Sequence, residues 1–390
     1  MPLPNESPLT LPVDRQTVIS KARRVVLKLG TKILLDHYGN ESKERIDKLV
    51  QDMIRLRSEG YTFSIVSSGA VGIGMRLLGV ESRPTDLKKI QALAAVGQSV
   101  LMERWNGLFL PYGVHMAQIL LTYDIIENRQ RYLYARDCLC SVLDYGAIPV
   151  INENDSVAVD ELKFGDNDTL SALTAILMDA DLLILFSDID GLYDKNPHKY
   201  PDAQRVSFVD QIDDELLSRV EDKQNDLSLG GMRSKLLAAQ RSAQVGTGVI
   251  ITNGFRPDLS GILNGEDIGT FFRPDKKYEK KRKRWIFFNH KIKGKIFIDR
   301  GAEEALTKNS RSLLPGGIIK TEKDFMEGAI VGIYNLDNEM IGKGITHYSS
   351  NDIERIKGQR TDQIKSTSQG RFYDEVIHRD NMIIISREDE

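Results

Sequence analysis

From Arg23 onward, short runs of β-branched and aliphatic residues alternate with longer helix-patterned stretches, and no other feature narrows the choice of folds as far. Val25 to Leu29 is followed by a helical pattern around Ser42 to Glu59, then by Tyr61 to Ser67 and a helix beginning near Val71. Three further runs, His115 to Leu121, Ala147 to Ile151 and Leu182 to Ser187, keep the rhythm, and Gly248 to Thr252 is its last strand. Such alternation implies parallel strands, because neighbours of the same sense need a crossover, usually a helix. The near-continuous apolar character of the runs predicts strands covered on both faces. The expected fold class is α/β, a layered, mostly parallel sheet flanked by helices, extending to about residue 270.

The pattern then changes. Seven of the nine residues from Lys276 to Arg284 are Lys or Arg, a charge run that marks a boundary and reads first as a solvated linker. Beyond it, Lys295 to Asp299, Gly328 to Tyr334 and Met340 to Thr346 are short strand-like runs separated by Gly, Asn and Asp turns, with no long amphipathic helix between them. A small, mostly-β C-terminal domain is expected. The boundaries follow: an N-terminal extension over 1–20, an α/β domain over 21–275, a basic linker over 276–292 and the β-rich domain over 293–380.

Composition enters mainly by exclusion. A chain of 390 residues with 41% apolar residues and a net charge of −3 can build a large core and is not strongly drawn to polyanions. The only cysteines, Cys138 and Cys140, cannot form a disulfide framework and are expected to be buried small hydrophobes on a helix over Tyr134 to Tyr145. Met1 to Ser20 reads as a loose extension with no apolar leader, and no run approaches the ~18 to 20 apolar residues of a membrane span. A cytoplasmic location is expected.

The common nucleotide-binding signatures are missing. The Gly-Lys pairs at Gly294 and Gly342 have Asn289 and Asp337 where a phosphate loop needs its leading Gly, and Gly72, Ile73, Gly74 is followed by Leu77 in place of the third Gly of a dinucleotide fingerprint. His378, Arg379, Asp380 imitates a protein-kinase catalytic loop, but Ile385 stands where the metal-binding Asn belongs. What the chain does carry is a set of strand-end turns. Lys28, Leu29, Gly30, Thr31 ends the first strand, and Ser67, Ser68, Gly69, Ala70 ends the second and opens a helix. Ligands of open α/β sheets bind beyond the carboxyl ends of strands, where glycine turns and helix N-termini present N–H groups to anions.

Two polar clusters add to these turns. Asn152, Glu153, Asn154, Asp155 follows a buried strand, and Gly165, Asp166, Asn167, Asp168, Thr169 opens a helix over Leu170 to Met178. Amides and carboxylates of this kind can hold an ammonium group, or keep lysines or magnesium in place, although Asp and Asn there could equally cap the helix. Ser187 and Asp188 close another strand, and Gly230, Gly231, Met232, Arg233, Ser234, Lys235 opens a further helix, with Lys235 either a phosphate lysine or a surface lysine.

Together these segments, with Ala94 to Gln98 and Val150 to Asp155 as the most specific runs, resemble the amino acid kinases, and within them the glutamate 5-kinases. Arg282 to Trp285 leads into a segment that resembles a PUA domain. The resemblance implies the amino acid kinase fold and ATP-dependent phosphorylation of the γ-carboxylate of L-glutamate to glutamyl 5-phosphate, the first step of proline biosynthesis, with ATP and magnesium as cofactors. It implies that Lys28 and Lys235 are catalytic and phosphate-binding, that Asp168 orients both, and that Ser68, Asp155 and Asn167 bind glutamate. Nucleotide contacts would come from Lys28, Gly30, Ser187, Asp188 and the loop Leu229, Gly230, Gly231, Met232, Arg233, Ser234, Lys235. In that loop Ser228 and Leu229 replace a usual Gly-Thr, which removes a hydroxyl but keeps the backbone donors, and Arg233 adds a cation. Proline as feedback inhibitor, glutamyl phosphate reductase as a partner and a homodimer or homotetramer are also implied.

A carboxylate acceptor, with a reference pKa near 4.3, is ionised at neutral pH, so no general base is needed; alignment and cancellation of charge repulsion remain to be supplied. That logic accommodates two lysines and no histidine. Two alternatives stay open at this point: a sister kinase acting on aspartate, acetylglutamate or uridylate, and an RNA-binding regulator working through the PUA-like domain and the basic run.

Overall fold

The computed structural model describes residues 15–34, 41–122, 125, 129–157, 167–197, 199–220, 231–275, 286, 292–309, 311–359 and 373–385. They fall into two compact units, the first built mainly from residues up to Lys277 and the second from Tyr278 onward.

The first unit holds an eight-stranded sheet. Its strands are β1 (Arg24–Leu29), β2 (Thr62–Ser67), β3 (Met116–Leu121), β4 (Ile148–Glu153), β5 (Leu182–Ser187), β6 (Phe208–Val209), β7 (Gly248–Asn253) and β8 (Thr270–Phe272), in the spatial order β3-β4-β2-β1-β5-β7-β8-β6. From β3 to β7 every neighbouring pair is parallel. The α/β expectation holds, with one correction: Gly248 to Thr252 is not the last strand, because β8 pairs antiparallel with β7 and carries β6 beyond it. Strands of three and two residues are too short to leave a periodic signature.

The helices are α1 (Arg15–Lys21), α2 (Thr31–Leu34), α3 (Glu41–Ser58), α4 (Ala70–Leu77), α5 (Leu87–Phe109), α6 (Arg129–Asp144), α7 (Asn167–Leu177), α8 (Asp214–Arg219), α9 (Met232–Gln244) and α10 (Leu259–Leu263). Residues 15–20 of the expected extension are therefore not loose: they belong to α1, which buries Ile19 in the main core. The cysteine expectation also fails, since Cys138 is exposed and Cys140 half-buried. The buried positions of α6 are Tyr132 and Leu139, seven apart on one stripe, and each cysteine lies about 100° to either side of Leu139.

Side chains alternate across β1, and this decides where the chemistry sits. Val25, Leu27 and Leu29 point into the core that includes Met53 of α3 and Trp105 and Phe109 of α5. Val26 and Lys28 therefore point to the opposite face, where α7 packs across β1, β2, β4 and β5. Every side chain of α7 from Leu170 to Leu177 is buried, so this short helix is fixed over the sheet centre.

One close approach fixes the other layer. A Cβ on Gly74 would lie 1.9 Å from the Leu93 carbonyl oxygen, and one on Gly97 only 1.8 Å from that of Ala70. Only glycine lets α4 and α5 cross this tightly. The Gly72, Ile73, Gly74 run that imitates a dinucleotide fingerprint is thus in part a helix-packing device.

The second unit is a five-stranded sheet of β9 (Gly294–Ile298), β10 (Ile318–Glu322), β11 (Ile330–Tyr334), β12 (Met340–Ile345) and β13 (Met382–Ile384), in the order β10-β9-β11-β12-β13. It has its own core, with Ile296, Ile298, Val331, Ile333, Val376 and Ile377. Its short helices, α11 (Arg300–Thr307) and α12 (Ser350–Ile356), start at the capping side chains of Asp299 and Ser349. The mostly-β expectation holds. Two strands escaped it: β10 alternates weakly and is largely exposed, and β13 has three residues. His378, Arg379, Asp380 is a tight turn into β13, with the His378 Nδ1 accepting the Asp380 N–H at 3.1 Å, so its likeness to a catalytic loop is coincidental. The basic run 276–284 lies outside the described residues.

Candidate active site

The chain leaves β1 for β2 on one side, and after β5 it continues to β6 and β7, both on the other. Between the carboxyl ends of β1 and β5 the strand order reverses, and crevices form at such switch points. A cleft of about 410 Å³ opens there, lined by Lys28, Gly30, Ser68, Asp155, Asn167, Ser187, Asp188 and Lys235 among others.

At its floor, Lys28 from the end of β1 and Lys235 from the first turn of α9 meet one carboxylate. The Lys28 Nζ lies 2.5 Å from Asp168 Oδ1 and the Lys235 Nζ 3.4 Å from Oδ2. Ser234 Oγ donates to the same Oδ2 at 2.8 Å. Asp168 has no exposed surface, and Lys28 and Lys235 are each 6% exposed. Burial alone would push the Asp168 carboxyl up, but the two ammonium groups, with the hydrogen bonds from Lys28 and Ser234, outweigh it and hold it down at about 2. Its place in the first turn of α7 adds a favourable helix dipole.

On the β2 and β4 side a chain of amides fixes the cleft wall. Asn167 Nδ2 donates to Ser68 Oγ at 2.7 Å, to the Ser67 carbonyl at 3.1 Å and to Asn152 Oδ1 at 3.1 Å. Asn152 Nδ2 in turn donates to Gln98 Oε1 at 2.8 Å, and the Trp105 indole N–H donates to Ser67 Oγ at 3.0 Å. Gln98 adjoins the close-contact Gly97, so the α4–α5 crossing sets the position of Asn167 through Asn152. Gly69, at φ 108°, makes the left-handed turn that admits α4 directly after β2.

On the β5 side, Ser187 Oγ donates to Asp188 Oδ1 at 3.2 Å, and Lys32 Nζ stands 3.2 Å from Asp188 Oδ2. Burial raises the Asp188 carboxyl, but its hydrogen bond and charge contact with Lys32, its own backbone and the field of Lys235 bring it below the ordinary carboxylate range.

The structure thus brings Lys28, Gly30, Ser68, Asp155, Asn167, Ser187, Asp188 and Lys235 to one cleft, with Asp168 and Ser234 beneath. Gly231, Met232 and Arg233 stand at the start of α9. Leu229 and Gly230 lie outside the described residues. The helix expected over Leu170 to Met178 begins earlier, at Asn167, so both site residues ride on its first turn. Sequence reasoning gave no role to Lys32 and Arg83, which line the cleft, nor to Trp105; Glu153 and Asn152 stood in the expected polar cluster and Gln98 in a family-specific run, but the Gln98, Asn152, Trp105 scaffold that joins them was not foreseen. The signal available for the scaffold was that polar residues interrupt buried runs at Ser67 and Asn152.

Among the described residues, no cluster of three or more acidic, histidine or cysteine side chains could cage a metal by itself. The exposed Asp188 does fit the other common arrangement, in which magnesium arrives on nucleotide phosphates and takes one or two carboxylates.

The profile of the amino acid kinase family matches residues 23–253, and that of the PUA domain residues 294–367. A glutamate 5-kinase of Thermoanaerobacter sp. (strain X514) is 43% identical over 365 residues, spanning 93% of this chain and 98% of that protein. Those of Syntrophotalea carbinolica and Geobacter sulfurreducens are 41% and 40% identical, spanning 95% of this chain and 99% and 100% of theirs. On sequence, fold and cleft alike, the chain belongs to the amino acid kinase family, among the glutamate 5-kinases with a C-terminal PUA domain.

Proposed function

We propose that the chain transfers the γ-phosphoryl group of ATP to the γ-carboxylate of L-glutamate, giving glutamyl 5-phosphate, the entry step of proline biosynthesis. The observation that carries the reading is the buried Lys28–Asp168–Lys235 triad at the switch point, reached from β1, α7 and α9. Both reactants are anionic, and the acceptor needs no base, so the enzyme's task is to bring two anions together and stabilise charge on the transferring group. Two ammonium groups held by one carboxylate leave a net positive pair facing the cleft without requiring either lysine to be placed by loose packing.

In this reading the acceptor occupies the β2 and β4 side, against Ser68, Asn167 and Asp155, and the nucleotide the β5 and β7 side, near Ser187, Asp188 and the loop 229–235. Lys28, on the central strand, stands between them. The backbone N–H groups of Gly30, Gly69 and Gly231 add fixed dipoles. Magnesium bound with the nucleotide supplies further charge neutralisation, with Asp188 the carboxylate to meet it. A cytoplasmic homo-oligomer, inhibited by proline competing at the acceptor site and passing its labile product to a reductase, fits the same reading. Proline leaving the apparent KM for glutamate unchanged would exclude that competition.

The test is ADP release with glutamate, aspartate, acetylglutamate and uridylate as acceptors, with hydroxamate trapping of the acyl phosphate. Glutamate should be turned over with trapping in step. Preference for another acceptor, or ADP release without trapping, would reject the proposal.

A further inference from the structure

Among the described residues, four cationic side chains line the cleft: Lys28, Lys32, Arg83 and Lys235. Three are already committed, Lys28 and Lys235 to Asp168 and Lys32 to Asp188. Arg83 is exposed and pairs with no acidic side chain among the described residues. An exposed loop arginine is ordinarily just solvated; this one differs in where its loop is held. It follows α4, the helix that leaves β2, and so belongs to the acceptor side of the cleft. The loop is pinned at three points. Gly79 takes a left-handed turn at φ 65°, Pro84 restricts Arg83 to extended backbone, and Asp86 caps α5 by accepting the Lys88 N–H at 3.0 Å.

The charges of the acceptor ask for such a group. Glutamate carries two carboxylates and one ammonium. Lys28 faces the γ-carboxylate that reacts, and Glu153 and Asp155, both lining the cleft, suit the ammonium. The α-carboxylate is left without a cation, and Arg83 is, among the described residues, the cleft cation left without an anion. A guanidinium matches a carboxylate in bidentate fashion and holds it at a fixed angle.

We propose that Arg83 binds the α-carboxylate of the acceptor amino acid at the cleft rim and so sets specificity for an acceptor with a second acidic group. This rests on the glutamate reading above. It makes Arg83 a substrate-binding residue with no part in the charge changes at the γ-phosphate.

Arg83→Gln is compared with the unaltered protein by ADP release, using glutamate and 4-aminobutyrate, which keeps the reacting carboxylate and the ammonium but lacks the α-carboxylate. The variant is expected to raise the KM for glutamate about tenfold or more, with kcat and the KM for ATP within about twofold. Turnover of 4-aminobutyrate, or its inhibition constant where turnover is slow, should not move, and Arg83→Lys should recover part of the loss. A glutamate KM that stays within about twofold overturns the inference, as does an equal loss on both acceptors. Failure of the unaltered protein to phosphorylate glutamate would instead overturn the proposed function, so the two failures are distinguishable.

Discussion

Asp168→Asn removes one charge and almost no volume, which isolates what the carboxylate does for the two lysines. In the native protein the side chain is fully buried, 2.5 Å from Lys28 and 3.4 Å from Lys235. The amide leaves two buried ammonium groups facing a neutral partner. Removing one member of a buried ion pair costs about 3 to 5 kcal/mol, because the remaining charge stays desolvated. Part of that cost depends on pH, with a defined sign. A carboxyl held at about 2 when folded and near 3.8 when unfolded stabilises the fold fully above pH 4, and the contribution disappears as pH falls through 2. The full linkage term is on the order of 2 kcal/mol, and about 1 kcal/mol of it should already be gone by pH 3. Urea unfolding of both proteins between pH 7 and pH 3 reads this directly. The stability gap should be largest at pH 7 and flat down to about pH 5, then narrow toward pH 3. ADP release should meanwhile fall about a hundredfold or more, since neither lysine is held in line. A gap below about 1 kcal/mol at pH 7, or one that does not narrow in acid, would refute the argument that the carboxylate organises the lysines.

Lys28→Met should lower kcat by about 10²- to 10³-fold while thermal unfolding stays cooperative, because Lys235 and Ser234 still satisfy Asp168; near-normal turnover would remove Lys28 from the chemistry. Gly97→Ala should destabilise the protein by about 1 to 3 kcal/mol or prevent folding, and in any soluble fraction raise the KM for glutamate more than that for ATP, since α5 would shift with Gln98. Asn152→Ala leaves Asn167 with one partner fewer and Gln98 unpaired; a several-fold rise in the glutamate KM is expected, and an unchanged value would show that the amide chain does not position Asn167. Lys32→Gln should weaken ATP binding without altering the glutamate KM, a split read by initial rates at varied concentrations of each substrate.

How much of this was legible in the sequence follows from what each residue contacts. The parallel sheet was readable because strands buried on both faces leave apolar runs, and Leu182 to Ser187 falls on the strand without a shift. Lys28, Ser68 and Asp188 were readable as candidates because a polar residue at the end of such a run has a local reason to be there. Their pairing was not, since Asp168 lies far from both lysines along the chain and alternates with nothing. What determines the pairing is parity: Leu27 and Leu29 must enter the core that contains Trp105, and Lys28 is therefore turned toward α7. The same parity sets Ser67 against the Trp105 indole, while Ser68, one residue on, meets Asn167 across the cleft. Of the two glycines of the α4–α5 crossing, Gly74 was legible only as part of a misleading nucleotide motif and Gly97 only as part of a family-specific run, because a close approach between helices is a property of two segments and shows in neither alone. The chemistry of this cleft is written in strand ends, and its geometry in the packing of the layers that hold them.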